Sequence, residues 1–386
     1  MKPREYYRGR EQTYLKHFFL ERYLEKVAYN IGSFADEFVY VDGFSGPWRS
    51  KDEDYGDTSF FIAIEKLREV RQKFLDQGRN LRVRCLFIEK ELERFRELER
   101  TIADISNLKV WAINGEFENL LSEIIRFVGS SFGLIFIDPT GWTGFGLNNI
   151  APVLALRGEV IVNFMYDDIN RHLEDARPEV SESFAPLFGG PGWNEEIAGL
   201  VAQGFAREDA IVQMYSNRLC KTGAFSFGTS TRILKPLSDR TYFHLVYATR
   251  HWKGLVEFRN VEKKFVDEQE AVRDGAKYEK KLERTGQPDM FHQEGWPVVQ
   301  TRSYEVQRSE ACRWALSRLH ELLSTYETIR YEKILGELLA RPLVWESDVK
   351  NWLVDLHQTG EIEIPDLRPR ERTPKQGHMI RSKSQK

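Results

Sequence analysis

Phe38-Val39-Tyr40-Val41-Asp42-Gly43-Phe44-Ser45-Gly46-Pro47-Trp48 and Gly133-Leu134-Ile135-Phe136-Ile137-Asp138-Pro139-Thr140-Gly141-Trp142 decide how this chain is read. Each is a short apolar run that stops on an aspartate and breaks into a turn rich in glycine and proline. Strands buried on both faces of a parallel sheet look like this, and open α/β sheets bind ligands outside the carboxyl ends of such strands. Two acidic strand ends in one sheet point at one crevice and at a nucleotide-like cofactor site.

Around these runs, strand and helix alternate. An amphipathic helix over 11–30 carries Tyr14, Phe18, Leu20, Tyr23, Leu24 and Val27 at near-helical spacing. The strand at 38–42 is followed by a helix over 58–74, with Asp57 or Thr58 placed to cap it. Further strands are expected at 82–88, ending on Glu89, at 108–113, ending on Asn114-Gly115, at 134–137 and at 159–164, with helices over 91–102, 116–127 and 146–156 between them. This alternation predicts a parallel, doubly wound Rossmann-like sheet. Residues 176–200, with Pro178, Pro186 and Gly189-Gly190-Pro191-Gly192, read as an irregular insertion. After a helix over 207–219, strands at 225–234 and 241–247 are joined by a short turn and read as an antiparallel hairpin at the sheet edge. Five parallel strands closed by such a hairpin is the layout of class I methyltransferases, a fold-level analogy.

The domain expectations are a Rossmann-like domain with an N-terminal helix over 1–266, a charged helical linker over 267–308, and a winged helix-turn-helix-like domain over 309–367. The last holds helices over 311–324, 331–339 and 347–358 and a strand at 361–364. Residues 368–386, rich in arginine and lysine, read as a basic disordered tail.

Composition narrows the classes. At 386 residues and a net charge of −3 the chain gives no global argument for nucleic acid or membrane. Its three cysteines, Cys85, Cys220 and Cys312, form no C-x-x-C pair, so no zinc or iron–sulfur site is indicated. No apolar run approaches a membrane span and the N-terminus is polar, which makes a cytoplasmic location the expectation.

The candidate site residues lie at the strand ends. In Asp42-Gly43-Phe44-Ser45-Gly46 the glycines let backbone approach a ligand closely, although the same stretch also reads as a tight turn. Trp48 either stacks on a flat ring or fills a core gap. Glu89 holds the position that hydrogen-bonds a ribose in nucleotide-binding α/β folds. Asn114 and Gly115 stand where an amide contacts an adenine edge, and are equally an ordinary turn pair. Asp138-Pro139-Thr140-Gly141-Trp142 resembles the D/N-P-P-Y/F/W sequence of amino-group methyltransferases. There a carboxylate or amide and a backbone carbonyl accept from the substrate amine while an aromatic ring stacks on it. Here Thr140 replaces the second proline and Gly141 intervenes before Trp142. Asp42 and Asp138 are also a carboxylate pair for a divalent metal, but no third ligand stands at a defined spacing, and no metal is expected.

With these residues in place, the chain resembles the three-Cys-motif partner family (TcmP). The features that carry the resemblance are Gln12-Thr13-Tyr14-Leu15-Lys16-His17, Tyr40-Val41-Asp42-Gly43-Phe44-Ser45-Gly46-Pro47, Gly56-Asp57-Thr58, Phe87-Ile88-Glu89, Phe136-Ile137-Asp138-Pro139-x-Gly141 and His251-x-Lys253-Gly254. Trp48 departs from the pattern, standing where the family commonly has glycine. The resemblance implies a methyltransferase-like fold that binds S-adenosylmethionine (SAM) through Asp42, Gly43, Gly46, Glu89 and Asn114, with Phe44, Ser45 and Gly115 in the same loops. It implies an acceptor site at Asp138, Pro139 and Trp142, and a radical-SAM-like partner protein that carries the three cysteines. Three functions follow as readings: a SAM-dependent N-methyltransferase, a non-catalytic partner subunit of the same fold, or a metal-dependent nuclease. The C-terminal helices and basic tail leave DNA or RNA open as a partner, although Glu346, Asp348 and Asp355 make the would-be recognition helix acidic.

Overall fold

The computed structural model describes residues 1–46, 55–173, 177–286, 302–368 and 370–383. The chain divides into two compact units, Met1–Arg250 with Val272–Asp289, and His251–Ala271 with Met290–Lys386.

The first unit is built on a seven-stranded sheet. Its strands are β1 (Glu37–Asp42), β2 (Arg82–Glu89), β3 (Lys109–Asn114), β4 (Phe132–Ile137), β5 (Gly158–Phe164), β6 (Phe227–Leu234) and β7 (Thr241–Thr249), in the order β3-β2-β1-β4-β5-β7-β6. β1 to β5 are parallel, and β7 runs antiparallel between β5 and β6. This is the class I methyltransferase fold.

Alternation along the strands separates two layers. Val39, Val41, Ile135, Ile137, Val160 and Val162 join one buried cluster with Ile124, Ile150 and Ile211 from helices Leu121–Val128, Leu147–Leu154 and Arg207–Gly223. The residues between them face the other way, toward helices Glu11–Gly32 and Ser59–Asp76. There Tyr40 meets Phe87, which meets Phe60 at a ring separation of 6.0 Å.

One departure from the sequence expectations stands out here. The stretch expected to be an irregular insertion holds two helices, Pro178–Leu187 and Trp193–Ala202. Pro178 lies in the first turn of one, where a missing N–H costs nothing, and Gly192 precedes the other with φ at 80°. Helix Trp252–Thr285 covers the first part of the expected helical linker and begins before it.

In the second unit, helix Arg302–Thr325 is followed by β8 (Thr328–Arg330), helices Tyr331–Leu338 and Glu346–Gln358, β9 (Ile362–Glu363) and β10 (Met379–Ser382). The strands form an antiparallel sheet in the order β8-β10-β9, the element order of a winged helix. The expectation of a disordered tail is therefore corrected. Ile380 is fully buried and pairs with Ile329, so the basic segment contributes the central strand of this sheet. Inside the unit, the buried Arg259 donates to Leu339 O at 2.9 Å and pairs with Glu262 at 2.7 Å.

Candidate functional site

The polar strand ends share one face of the first sheet. Glu89 is the register partner of Asn114, while Asp42 is paired with Phe87 on one side and Phe136 on the other. Phe87 precedes Glu89 by two residues, and Phe136 likewise precedes Asp138. Since side chains repeat every second residue, Asp42, Glu89, Asn114, Asp138 and Asn163 all project toward the layer of helices Glu11–Gly32 and Ser59–Asp76. Asp42 is set one pleat, roughly 6–7 Å, deeper than its neighbours.

That depth governs its chemistry. Asp42 is fully buried; one carboxylate oxygen accepts from the Phe44 N–H at 3.1 Å and the other from Ser59 Oγ at 3.0 Å. Burial, with the Asp138 charge nearby, pushes its carboxyl up to about 6 despite these hydrogen bonds. The loop after β1 is held from both sides. Gly43 N–H donates to Phe136 O, Ser45 N–H to Ile88 O, and Ser45 Oγ to Asp42 O. Gly43 has no room for a side chain, because a Cβ there would lie 2.7 Å from the Phe117 ring. Phe44 packs against Phe117 and Phe145.

Glu89 is buried and accepts from the Glu91 N–H at 2.7 Å, and its burial raises its carboxyl above the usual range. Asn114 spends its amide N–H groups on Glu89 O and Lys90 O, which leaves its Oδ1 for a ligand. The Gly115 N–H donates to Glu89 O as well.

A cleft of 460 Å³ opens over the ends of β1, β4 and β5, lined among others by Arg10, Lys16, Gly46, Asp57, Asp138 and Asn163. Asp138 sits in its wall with both oxygens engaged. Lys16 Nζ pairs with Oδ2, and Asn163 Nδ2 donates to Oδ1 at 2.7 Å. The other end of the Asn163 amide, Oδ1, is buried and has no partner. Arg10 pairs with the buried Asp57 at 2.6 Å. Asp57 serves this ion pair, and Thr58, the N-cap residue of helix Ser59–Asp76, donates its Oγ1 to Tyr55 O and makes no side-chain cap. His17, beside Lys16, lies buried against Tyr7 OH, and burial with the Lys16 charge holds its imidazole neutral.

The predicted residues are thus divided. Phe44, Gly46, Asp138 and Pro139 line the cleft. Asp42, Gly43 and Ser45 form the floor of the β1 loop, and Glu89, Asn114 and Gly115 cluster on the two strands beyond it. Trp142 turns elsewhere. Its indole N–H donates to Ser183 Oγ at 3.0 Å, and its ring lies over Phe184 and His172. Pro47 and Trp48 lie outside the described residues. Arg10, Lys16, Asp57 and Asn163 were not among the predicted site residues. For Arg10 and Lys16 the signal was a polar row, Arg10, Thr13 and Lys16-His17, at helical spacing at the start of the amphipathic helix.

The donor set fits SAM. Two buried carboxyl groups on adjacent strands, Asp42 and Glu89, are acceptors, and the cofactor offers an ammonium, a sulfonium and a ribose diol to meet them. Among the described residues no group of three or more His, Cys, Asp or Glu is placed to hold a metal ion, and no helix is long and apolar enough to cross a membrane.

No family model matches this chain, and no curated protein matches it. Solved structures match only distantly. A Legionella pneumophila protein described by the family model DUF519 is 11% identical with a TM-score of 0.32, over 60% of this chain and 84% of that one. Loganic acid methyltransferase with SAH is 10% identical with a TM-score of 0.30, over 74% of this chain and 91% of that one. Likenesses this remote carry no argument about activity.

Proposed function

We propose that the protein is a SAM-dependent methyltransferase acting on an amino group. The observation that carries the reading is the row of Asp42, Glu89, Asn114 and Asp138 on one face of a class I methyltransferase sheet, beside a cleft that reaches Gly46 and Asp138. Glu89 would hold the ribose hydroxyls and Asn114 Oδ1 the adenine amino group. Asp42, deepest in the row, would set a negative potential beneath the cationic part of the cofactor. SAM supplies an already activated methyl group, so the protein's task is alignment and removal of a proton. Asp138, with the Pro139 carbonyl, would accept from the acceptor amine. The motifs shared with three-Cys-motif partner proteins support this reading and bring with them a radical-SAM-like partner. The winged-helix order of the second unit keeps nucleic acid among the candidate partners.

One feature favours the non-catalytic subunit as a second reading: Asp138 is already occupied by Lys16 and Asn163. Calorimetric titration with SAM and with S-adenosylhomocysteine separates the two. Saturable binding, weakened tenfold or more (about 1.4 kcal/mol) in Glu89→Ala and Asp42→Asn, supports the enzyme. A folded wild-type chain that binds neither compound refutes it and leaves the subunit reading.

A further inference from the structure

Building on the cofactor reading above, we propose that Lys16 is itself a methyl acceptor, and that the protein N-methylates this side chain in cis. Lys16 Nζ stands where the amine of a substrate would stand, on Asp138 Oδ2 in the wall of the cleft that also contains Gly46. Its side chain is 15% exposed, so it reaches the cleft from within the first unit instead of waving in solvent.

The cluster is not the closed arrangement expected of a purely structural ion pair. Asn163 fixes the second Asp138 oxygen through its amide nitrogen, and this assigns the direction of the amide, since the reverse would set two acceptors against each other. Asn163 Oδ1 is then a buried acceptor with no donor. Buried networks that serve stability alone satisfy such groups. The Lys16 amino group has N–H donors beyond the one that Asp138 Oδ2 takes, and Asn163 Oδ1 is an open acceptor in the same cleft wall.

The step balances without any further reagent. The Lys16 ammonium gives one proton to water through the open cleft. Its nitrogen lone pair forms the new N–C bond, the C–S bond of SAM breaks, and that electron pair stays on sulfur. The products are a secondary methylammonium, which keeps its charge and its pairing with Asp138, and S-adenosylhomocysteine.

The experiment incubates the full chain with methyl-labelled SAM and maps the label by peptide mass spectrometry, with SAM binding measured separately by calorimetry. The expected result is label on Lys16 at a fractional rate independent of protein concentration. Lys16→Arg loses the label at this site, and Asp138→Asn loses it while still binding SAM. A readout without turnover accompanies it: S-adenosylhomocysteine shields Lys16, but not the exposed Lys26 or Lys221, from acetylation by acetic anhydride. Bound SAM with no methyl on Lys16, or label spread equally over Lys26 and Lys221, overturns this proposal alone. Absence of SAM binding overturns it together with the methyltransferase reading.

Discussion

Replacing Asp42 by asparagine should make the protein more stable, and increasingly so as pH rises. The carboxyl is fully buried and pushed by that burial from its ordinary value of 3.8 to about 6. Between these values the folded state binds a proton that the unfolded state has released, so stability falls as pH rises and levels off above about 6. At 1.36 kcal/mol per pH unit, ionised Asp42 costs the fold about 3 kcal/mol at pH 8. Asparagine has the same shape: its oxygen can accept from the Phe44 N–H, and its amide can donate to Ser59 Oγ, at no charge cost. The gain over wild type should grow from about 2 kcal/mol at pH 5 to about 3 kcal/mol at pH 8. Urea denaturation at the two pH values measures it. An asparagine variant less stable than wild type at pH 8, or equally favoured at both, would refute the claim that a buried charge is being carried here. A stabilised variant that binds SAM more weakly would show what the charge is kept for.

Two further substitutions test the packing. Gly43→Ala drives a methyl group into the Phe117 ring and should cost about 1–3 kcal/mol, less in a Phe117→Leu background, as a double-mutant cycle in urea would report. Ile380→Ala should cost about 2–5 kcal/mol of the second unit's stability by hydrogen exchange of β8 and β10; no effect would mean that the basic segment is not a core strand.

The sheet was legible because parallel strands covered on both sides must be apolar throughout, and runs such as Leu134–Ile137 admit few other readings. The misread region shows the limit of punctuation as a signal. Pro178 and Gly192 read as breakers in the sequence, yet each marks the entry to a helix, and only the following apolar residues, Phe184 and Trp193, tell the cases apart. In the basic tail, Ile380 is the one buried aliphatic side chain among the described residues, too little to register among seven arginines and lysines in 368–386. At the site, residue types were legible and depth was not. That Asp42 lies a pleat below Glu89 and Asp138 depends on strand register, which is set by partners far along the chain. The same holds for Lys16 and Asp138, 122 residues apart.

The place of β7 has a consequence for synthesis. β5 is complete at Phe164, but its neighbour is made only at Thr241–Thr249, after β6 has been synthesised. Through that interval β5 carries an unsatisfied edge on a strand that is almost entirely apolar, and β6 has nothing to join, since it contacts the sheet only through β7. The nascent chain therefore passes through a window in which an aggregation-prone edge waits for its last strand.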